Sequence, residues 1–444
     1  MNYPVEFSEE LKTVLGEDTE KFLSLSDEPY YRGISVNRLK TSPEKLLPLL
    51  PFGTKKSPFY SDGYYIPNDT EGVGNLPLHH AGAFYVQEPS ASSAVPLLEI
   101  EKDDFVLDLC AAPGGKSAQI ASLLGGTGLV WSNEYVKNRS RILLSNFERM
   151  GISNGIVSSC RPDILAEKLH GCFDRVLVDA PCSGEGMFRR DPDSIKEWSR
   201  EHVEACAVRQ YNILISAAEC VRDGGVLVYS TCTFSPEENE ETVRRFLKEN
   251  SDFEPYEIAD HAGRKTEFSN AMRVTPLEGG EGHFAARFRK KGGAVRRKCG
   301  SISVKNGNRE QTKLVESFLE DIFAVRPDMV SVVKGEKLYL VPEYFPVADG
   351  TGVIRAGVLA GEIIRNRIEP CHALFTSFPV QYFRRVINLS LDDERVISFL
   401  HGNEIDCGGD SGYTAVAFEG MTAGFGKCSG GRLKNKYPKG LRLL

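Results

Sequence analysis

Two cysteines stand in settings that suit covalent chemistry. Cys182 lies in Asp179-Ala180-Pro181-Cys182-Ser183-Gly184, and Cys232 lies in Tyr229-Ser230-Thr231-Cys232-Thr233. A thiolate is a strong carbon nucleophile, and two thiols at one site suit a reaction that splits one hard step into two easier ones. Each motif follows an apolar run (173–179 and 225–229) that reads as a buried parallel strand. In an open α/β sheet, ligands bind beyond the carboxyl ends of the strands, so both thiols reach one crevice. Two ordinary buried cysteines would be the expectation for isolated residues. The Asp-Ala-Pro-Cys and Ser-Thr-Cys contexts, each at a strand end, reverse it.

A third strand, 105–109, runs into Cys110-Ala111-Ala112-Pro113-Gly114-Gly115-Lys116 and a helix beginning near Ser117. Paired glycines let the backbone approach a ligand closely, and a helix start presents free N–H groups. The next strand, 129–133, ends in Glu134, twenty residues after Gly114. An acid at that distance binds ribose hydroxyls in Rossmann-like units. Neither a G-x-G-x-x-G pattern nor a P-loop is present, so NAD and ATP fit poorly. A nucleoside without a pyrophosphate, such as S-adenosylmethionine, fits better.

Positioning these motifs falls to a region (104–289) in which strands and helices alternate, the pattern of a parallel sheet with crossover helices. The first hundred residues read as an α+β leader, with a helical opening (8–25) and a strand-like alternation (34–39). Gly292-Gly293-Ala294 and the adjoining basic run form the clearest linker. A helix over 308–323 and a strand over 337–341 follow, and beyond Pro370 short segments are broken by glycine. The expected division is 1–100 leader, 101–291 catalytic core, 292–370 linker and intermediate domain, and 371–444 C-terminal domain.

At 444 residues the chain is too long for one typical core. Its 41% hydrophobic and 26% charged residues are ordinary for a globular protein. The eleven cysteines show no CxxC pair, and the eight histidines lack ligand spacing, so neither a disulfide framework nor a metal site is signalled. A reducing cytoplasm fits, the start lacks a signal-peptide pattern, and no stretch is apolar enough to span a bilayer. The net charge of −7 hides two clusters without acids: Arg287, Arg289, Lys290, Lys291, Arg296, Arg297 and Lys298, then Lys427, Arg432, Lys434, Lys436, Lys439 and Arg442. Such clusters bind phosphates whatever the net charge, which tilts the reading toward RNA.

The motifs 108–116, 179–184 and 229–233, in this order and each at a strand end, resemble those of the Nol/Nop/Sun family of RNA cytosine-5 methyltransferases. Residues 85–91 and 273–285 resemble the segments that precede and close the family's core. The tail 433–442 is similar to the C-terminal domain of bacterial RsmF-type small-subunit rRNA enzymes. The resemblance implies an α/β, Rossmann-like S-adenosylmethionine-dependent core with an α+β extension and a small PUA-like RNA-binding domain, acting as a cytoplasmic monomer without metal. It implies cofactor contacts from Cys110, Ala111, Ala112, Pro113, Gly114, Gly115, Lys116, Glu134, Arg139 and Asp179. Where the family often has an Asp beside the adenine, this chain reads Ser158-Ser159-Cys160-Arg161-Pro162-Asp163, and Asp163 is the candidate substitute.

C5 of cytosine is a poor nucleophile until a thiolate adds to C6. The family resemblance assigns that attack to Cys232 and product release to Cys182; a Pro-Cys nucleophile, as in DNA cytosine-5 methyltransferases, would point to Cys182 instead. Asp179 is placed to bond the cytosine amino group or N3, and Lys116 to orient base or cofactor. Ser235-Pro236-Glu237-Glu238 reads as an N-cap, a Pro at N1 and a capping-box acid of the following helix. The target base must be single-stranded or flipped out, with Arg38, Lys434 and Lys436 as candidate RNA contacts. The same reaction on tRNA, and a non-catalytic ribosome-assembly factor, are the rival readings. The intact thiols, Asp179 and Gly-Gly-Lys turn weigh against the latter.

Overall fold

The computed structural model describes residues 1, 3–293, 309–343 and 349–443; Ala294, Arg296, Arg297 and Lys298 of the basic linker lie outside them. At its centre five parallel strands run in the order Val221–Thr231, Phe173–Asp179, Phe105–Asp108, Leu129–Asn133 and Gly155–Ser158. The chain first builds outward from Phe105–Asp108 in one direction and then in the other, so the order reverses beside that strand and opens a crevice at the carboxyl ends. These strands are apolar on both faces because both are covered. Leu107, Val176 and Tyr229 pack with Leu165, Leu214 and Phe246, whereas Val106, Leu177 and Val228 pack with Ala118, Leu124 and Leu143. Strand alternation places Asp179 on the face of Leu177, toward the helix Gly115–Leu124.

Antiparallel strands extend both edges. His283–Lys290, Ala271–Val274 and Arg264–Lys265 lie beyond the Cys232 strand. On the other edge Val353–Ala356 pairs with Gly155–Ser158. Ser159 N–H also donates to Gly352 O at 2.9 Å, and Arg355 pairs with Glu148 at 2.7 Å. Sequence reading expects the chain beyond residue 293 to dock RNA rather than complete the catalytic core. That separation is corrected here, because a short edge strand of only four residues leaves no signal that its partner lies two hundred residues earlier.

The leader opens with two helices, Val5–Leu15 and Thr19–Ser24, divided at Gly16, where φ is +55°. Its four-stranded sheet shares one apolar core with the C-terminal five-stranded sheet: Ile34 and Phe84 meet Val416, Phe418, Leu433 and Tyr437. Lys40 reaches across this junction to Thr376 O and Thr422 Oγ1, and burial pulls its pKa down to about 7. Arg38 spends its guanidinium on Asp62, at 2.5 and 2.8 Å. The helix Arg309–Ile322 and the strand Lys337–Val341 match expectation. Contrary to the sequence reading, Cys407 and Cys428 form a disulfide; strand pairing brings them together across 21 residues, which spacing alone does not reveal. Among the described residues no helix is long and apolar enough to cross a membrane, and no His, Cys, Asp and Glu group has metal-binding geometry.

Candidate active site

The glycine turn forms as the sequence implies. Gly114 adopts φ +118°, a conformation that side chains oppose, and hands the chain to the helix Gly115–Leu124. The carbonyls of Ala112 and Pro113 are taken by Arg139 (2.9 Å) and Asn146 (2.8 Å), which fixes the turn ahead of the helix. Glu134 is buried at the end of its strand, accepting from Val136 N–H (2.8 Å) and lying 3.4 Å from Arg139. Beneath the turn, Asp108 accepts from Ser117 Oγ at 2.7 Å, while its second oxygen is buried without a partner. Burial, with Asp179 nearby, pushes the Asp108 carboxyl up to about 7. Burial likewise raises the Cys110 thiol.

Asp179 is the hinge between the two halves of the site. Its Oδ2 accepts from Lys116 Nζ at 2.7 Å and its Oδ1 from Ser230 Oγ at 2.8 Å, with His283 Nε2 3.8 Å away. Burial favours its neutral form, but Lys116 and His283 outweigh that and hold the carboxyl well below the usual range. Beyond it, Cys182 Sγ and Cys232 Sγ lie 3.2 Å apart. The neighbouring Cys232 thiol and burial together push Cys182 up, so Cys182 keeps its proton.

Cys110 to Lys116, Glu134, Arg139, Asp179, Cys182 and Cys232 all stand at or just beyond the carboxyl ends of four neighbouring parallel strands. Asp163 differs: it sits on the helix Pro162–Lys168, 56% exposed, its carboxylate engaged by Arg161 at 2.7 and 3.1 Å. The capping reading of Glu238 is corrected. The helix begins at Glu240, residues 236–239 form a turn, and the Glu238 side chain points inward, fully buried. There it accepts from Ser183 N–H (3.0 Å) and Gln210 (2.5 Å). Sequence reasoning also missed Glu185, Gln210, Ser230 and His283. The last two lie within quoted segments (229–233 and 273–285), but the contacts of Glu185 and Gln210 arise only when separate loops meet.

Residues 95–289 match the family 16S rRNA methyltransferase RsmB/F, 3–89 the N-terminal domain of 16S rRNA methyltransferase RsmF, 317–378 the RsmF first C-terminal domain, and 386–443 the RsmF PUA domain. The chain is 30% identical to ribosomal RNA small subunit methyltransferase F of Vibrio vulnificus and 32% identical to that of Vibrio atlanticus. Each comparison covers 99% of this chain and 97% of the relative. The crystal structure of NSun6 from Pyrococcus horikoshii with SFG superposes with a TM-score of 0.59 at 25% identity, over 65% of this chain and 99% of that one. With family-matching segments from residue 3 to residue 443 around a two-thiol crevice, the chain belongs to the RsmF family of ribosomal RNA methyltransferases.

Proposed function

We propose that this protein transfers a methyl group from S-adenosylmethionine to C5 of a cytosine in 16S rRNA, through a covalent bond between Cys232 and C6. The observation that carries the reading is the pair of thiols 3.2 Å apart beside the Lys116–Asp179 pair at the strand ends.

The cofactor side fits a cationic nucleoside. Glu134 and Asp179 are the acidic groups that end neighbouring parts of the site, with Lys116 already committed to Asp179 and Asp108 buried beneath them. Such a lining disfavours phosphate and favours a sulfonium and an ammonium. Residues 110–116 would hold the methionine part and Glu134 the ribose hydroxyls, with Arg139 steadying Glu134. When bound, S-adenosylmethionine supplies an electrophilic methyl group on sulfur.

The protein's own residues do the rest. The Cys232 thiolate adds to C6, and the electron pair of the C5–C6 bond is driven toward C5. As N3 gains a proton from solvent water, Asp179, held ionised, accepts hydrogen bonds from N3–H and from the cytosine amino group. After methylation solvent water takes the C5 proton, and the electron pair of that C–H bond restores the C5–C6 double bond. The Cys232–C6 bond breaks with its pair on sulfur as thiolate, and N3 gives its proton back to solvent. Cys182 assists this release from beside the bond that breaks, its sulfur 3.2 Å from that of Cys232.

Bisulfite sequencing of total RNA from cells with and without the protein tests the proposal. A protected cytosine in 16S rRNA that disappears with the protein is expected. Protection lost only from tRNA would move the substrate, and no change at any cytosine would overturn the chemistry.

A further inference from the structure

Each thiol loop is gripped by a buried glutamate that the other thiol's loop supplies. Glu185, three residues beyond Cys182, accepts from Thr233 Oγ1 (2.7 Å) and Phe234 N–H (2.9 Å), just past Cys232. Trp198 occupies its other oxygen at 2.8 Å. In return Glu238, six residues beyond Cys232, accepts from Ser183 N–H at 3.0 Å, just past Cys182. The same glutamate holds Gln210, whose amide also donates to Pro181 O at 3.1 Å. The peptide groups on both sides of Cys182 are thereby fixed. Ser183 Oγ and Thr233 Oγ1, 2.7 Å apart, tie the two loops directly. Gly186 N–H donates to Cys232 O at 2.9 Å, an approach so close that a Cβ on Gly186 would lie 2.9 Å from the same oxygen.

Both carboxyls are almost wholly enclosed, at 2% and 0% exposure, and one oxygen of Glu238 has no partner. Burying such groups costs stability unless they are fully bonded. Glu185 meets that condition through Thr233, Phe234 and Trp198, whereas Glu238 keeps one oxygen unbonded while its other oxygen holds the Cys182 loop.

We propose that Glu185 and Glu238 are reciprocal positioning residues that set the spacing of the two thiols, Glu185 acting on Cys232 and Glu238 on Cys182. The inference rests on the two-thiol reading above. A reacting group displaced by about 1 Å loses roughly a hundredfold in rate. Loosening the Cys182 loop therefore slows release, so the protein–RNA adduct builds up. Loosening the Cys232 segment slows attack, so less adduct forms.

The test is a denaturing-gel assay of adduct and a methyl-transfer assay on a 16S rRNA fragment with S-adenosylmethionine. It compares the full-length wild type, Glu238→Ala, Glu185→Ala and Cys182→Ala, each normalised to folded protein. Glu238→Ala should raise the adduct fraction at least about fivefold, and Glu185→Ala should lower turnover roughly a hundredfold with less adduct than wild type. Glu238→Gln, which keeps the oxygen facing Ser183, should recover to within about threefold of wild type. Opposite signs on adduct are beyond a merely structural role, which would move both variants in parallel. If either alanine variant is insoluble, Glu238→Asp and Glu185→Asp carry the same expected signs. Parallel changes, or none, while Cys182→Ala still traps adduct, would overturn the clasp alone. Failure of Cys182→Ala to trap adduct would overturn the two-thiol reading itself.

Discussion

The two halves of the crevice are built on different plans. In the thiol half the carboxyl and amide groups that bond the two thiol loops are local: Glu185, Gln210 and Glu238 all come from the stretch that carries Cys182 and Cys232. The leader adds apolar packing of Phe7 and Phe22 on Phe188 and Phe234. The cofactor half is braced from far away in the chain. Tyr85 of the leader lies so close to Gly115 that a Cβ there would meet its ring at 3.0 Å. At the other end Gly352 receives Ser159 N–H beside the expected adenine loop. The polar bonds between the thiol loops are thus local, whereas the glycine turn and the loop after Ser158 are touched directly by the leader and by the segment that precedes the PUA domain.

Breaking the thiol half gives the largest effects. Cys232→Ala should abolish methyl transfer while cofactor affinity, measured by calorimetry, stays within about twofold, since the glycine turn lies on another strand. Cys182→Ala should trap adduct, and the double variant should show none. Near-normal turnover in Cys232→Ala would move the attack to Cys182.

The cofactor half should break from a distance. Gly352 adopts φ +61°, and a Cβ there would come within 2.4 Å of Ser159 O, so Gly352→Ala must displace either the turn or the loop. Cofactor affinity should fall by about tenfold, with an accompanying stability loss on the order of 1–3 kcal/mol. At saturating cofactor the adduct fraction should match wild type. Unchanged affinity would mean that the edge strand braces the sheet and nothing more.

A smaller effect belongs to the tail. Lys434, Lys436 and Lys439 are exposed, whereas Arg432 pairs with Asp406 and Arg442 bonds to Tyr437 O. Replacing the three lysines with Gln should weaken RNA binding a few-fold and reduce the log–log salt slope by about one unit or less per lost phosphate contact. Thiol chemistry on saturating RNA should be untouched. Parallel slopes with equal affinities would leave these lysines as a solvated face.

How much was legible follows the same division. The three strand-end motifs and Glu134 could be read because each is a contiguous run in which strand period, turn residues and helix start agree. Glu238 was misread because its local pattern, Ser235-Pro236-Glu237-Glu238, satisfies the capping rule, and Glu238 N–H does approach Ser235 Oγ at 3.4 Å. What sends its side chain inward is Ser183 and Gln210, distant residues that no local rule weighs. The edge strand Val353–Ala356 and the core shared by leader and tail were illegible for the same reason. Short, weakly patterned segments are recruited by tertiary contact rather than specified by their own period.

The two halves also hold carboxyls of opposite poise, and this offers the finest test. Lys116 and His283 keep Asp179 ionised, while burial pushes Asp108, beneath the glycine turn, up to about 7. Between its ordinary value of 3.8 and about 7, Asp108 keeps its proton in the folded protein and loses it in the unfolded chain. Each upward step of pH through that window therefore costs the wild type stability, and above the window the loss is constant. Asp108→Asn has no proton to lose and can still accept from Ser117. Its stability relative to wild type, from urea unfolding at a series of pH values, should rise between about pH 4 and pH 7 and then level off. The plateau should be on the order of a few kcal/mol. A difference independent of pH would show that Asp108 ionises as freely as a surface acid. The cofactor half would then owe its shape to distant braces alone, without an acid held neutral beneath the turn.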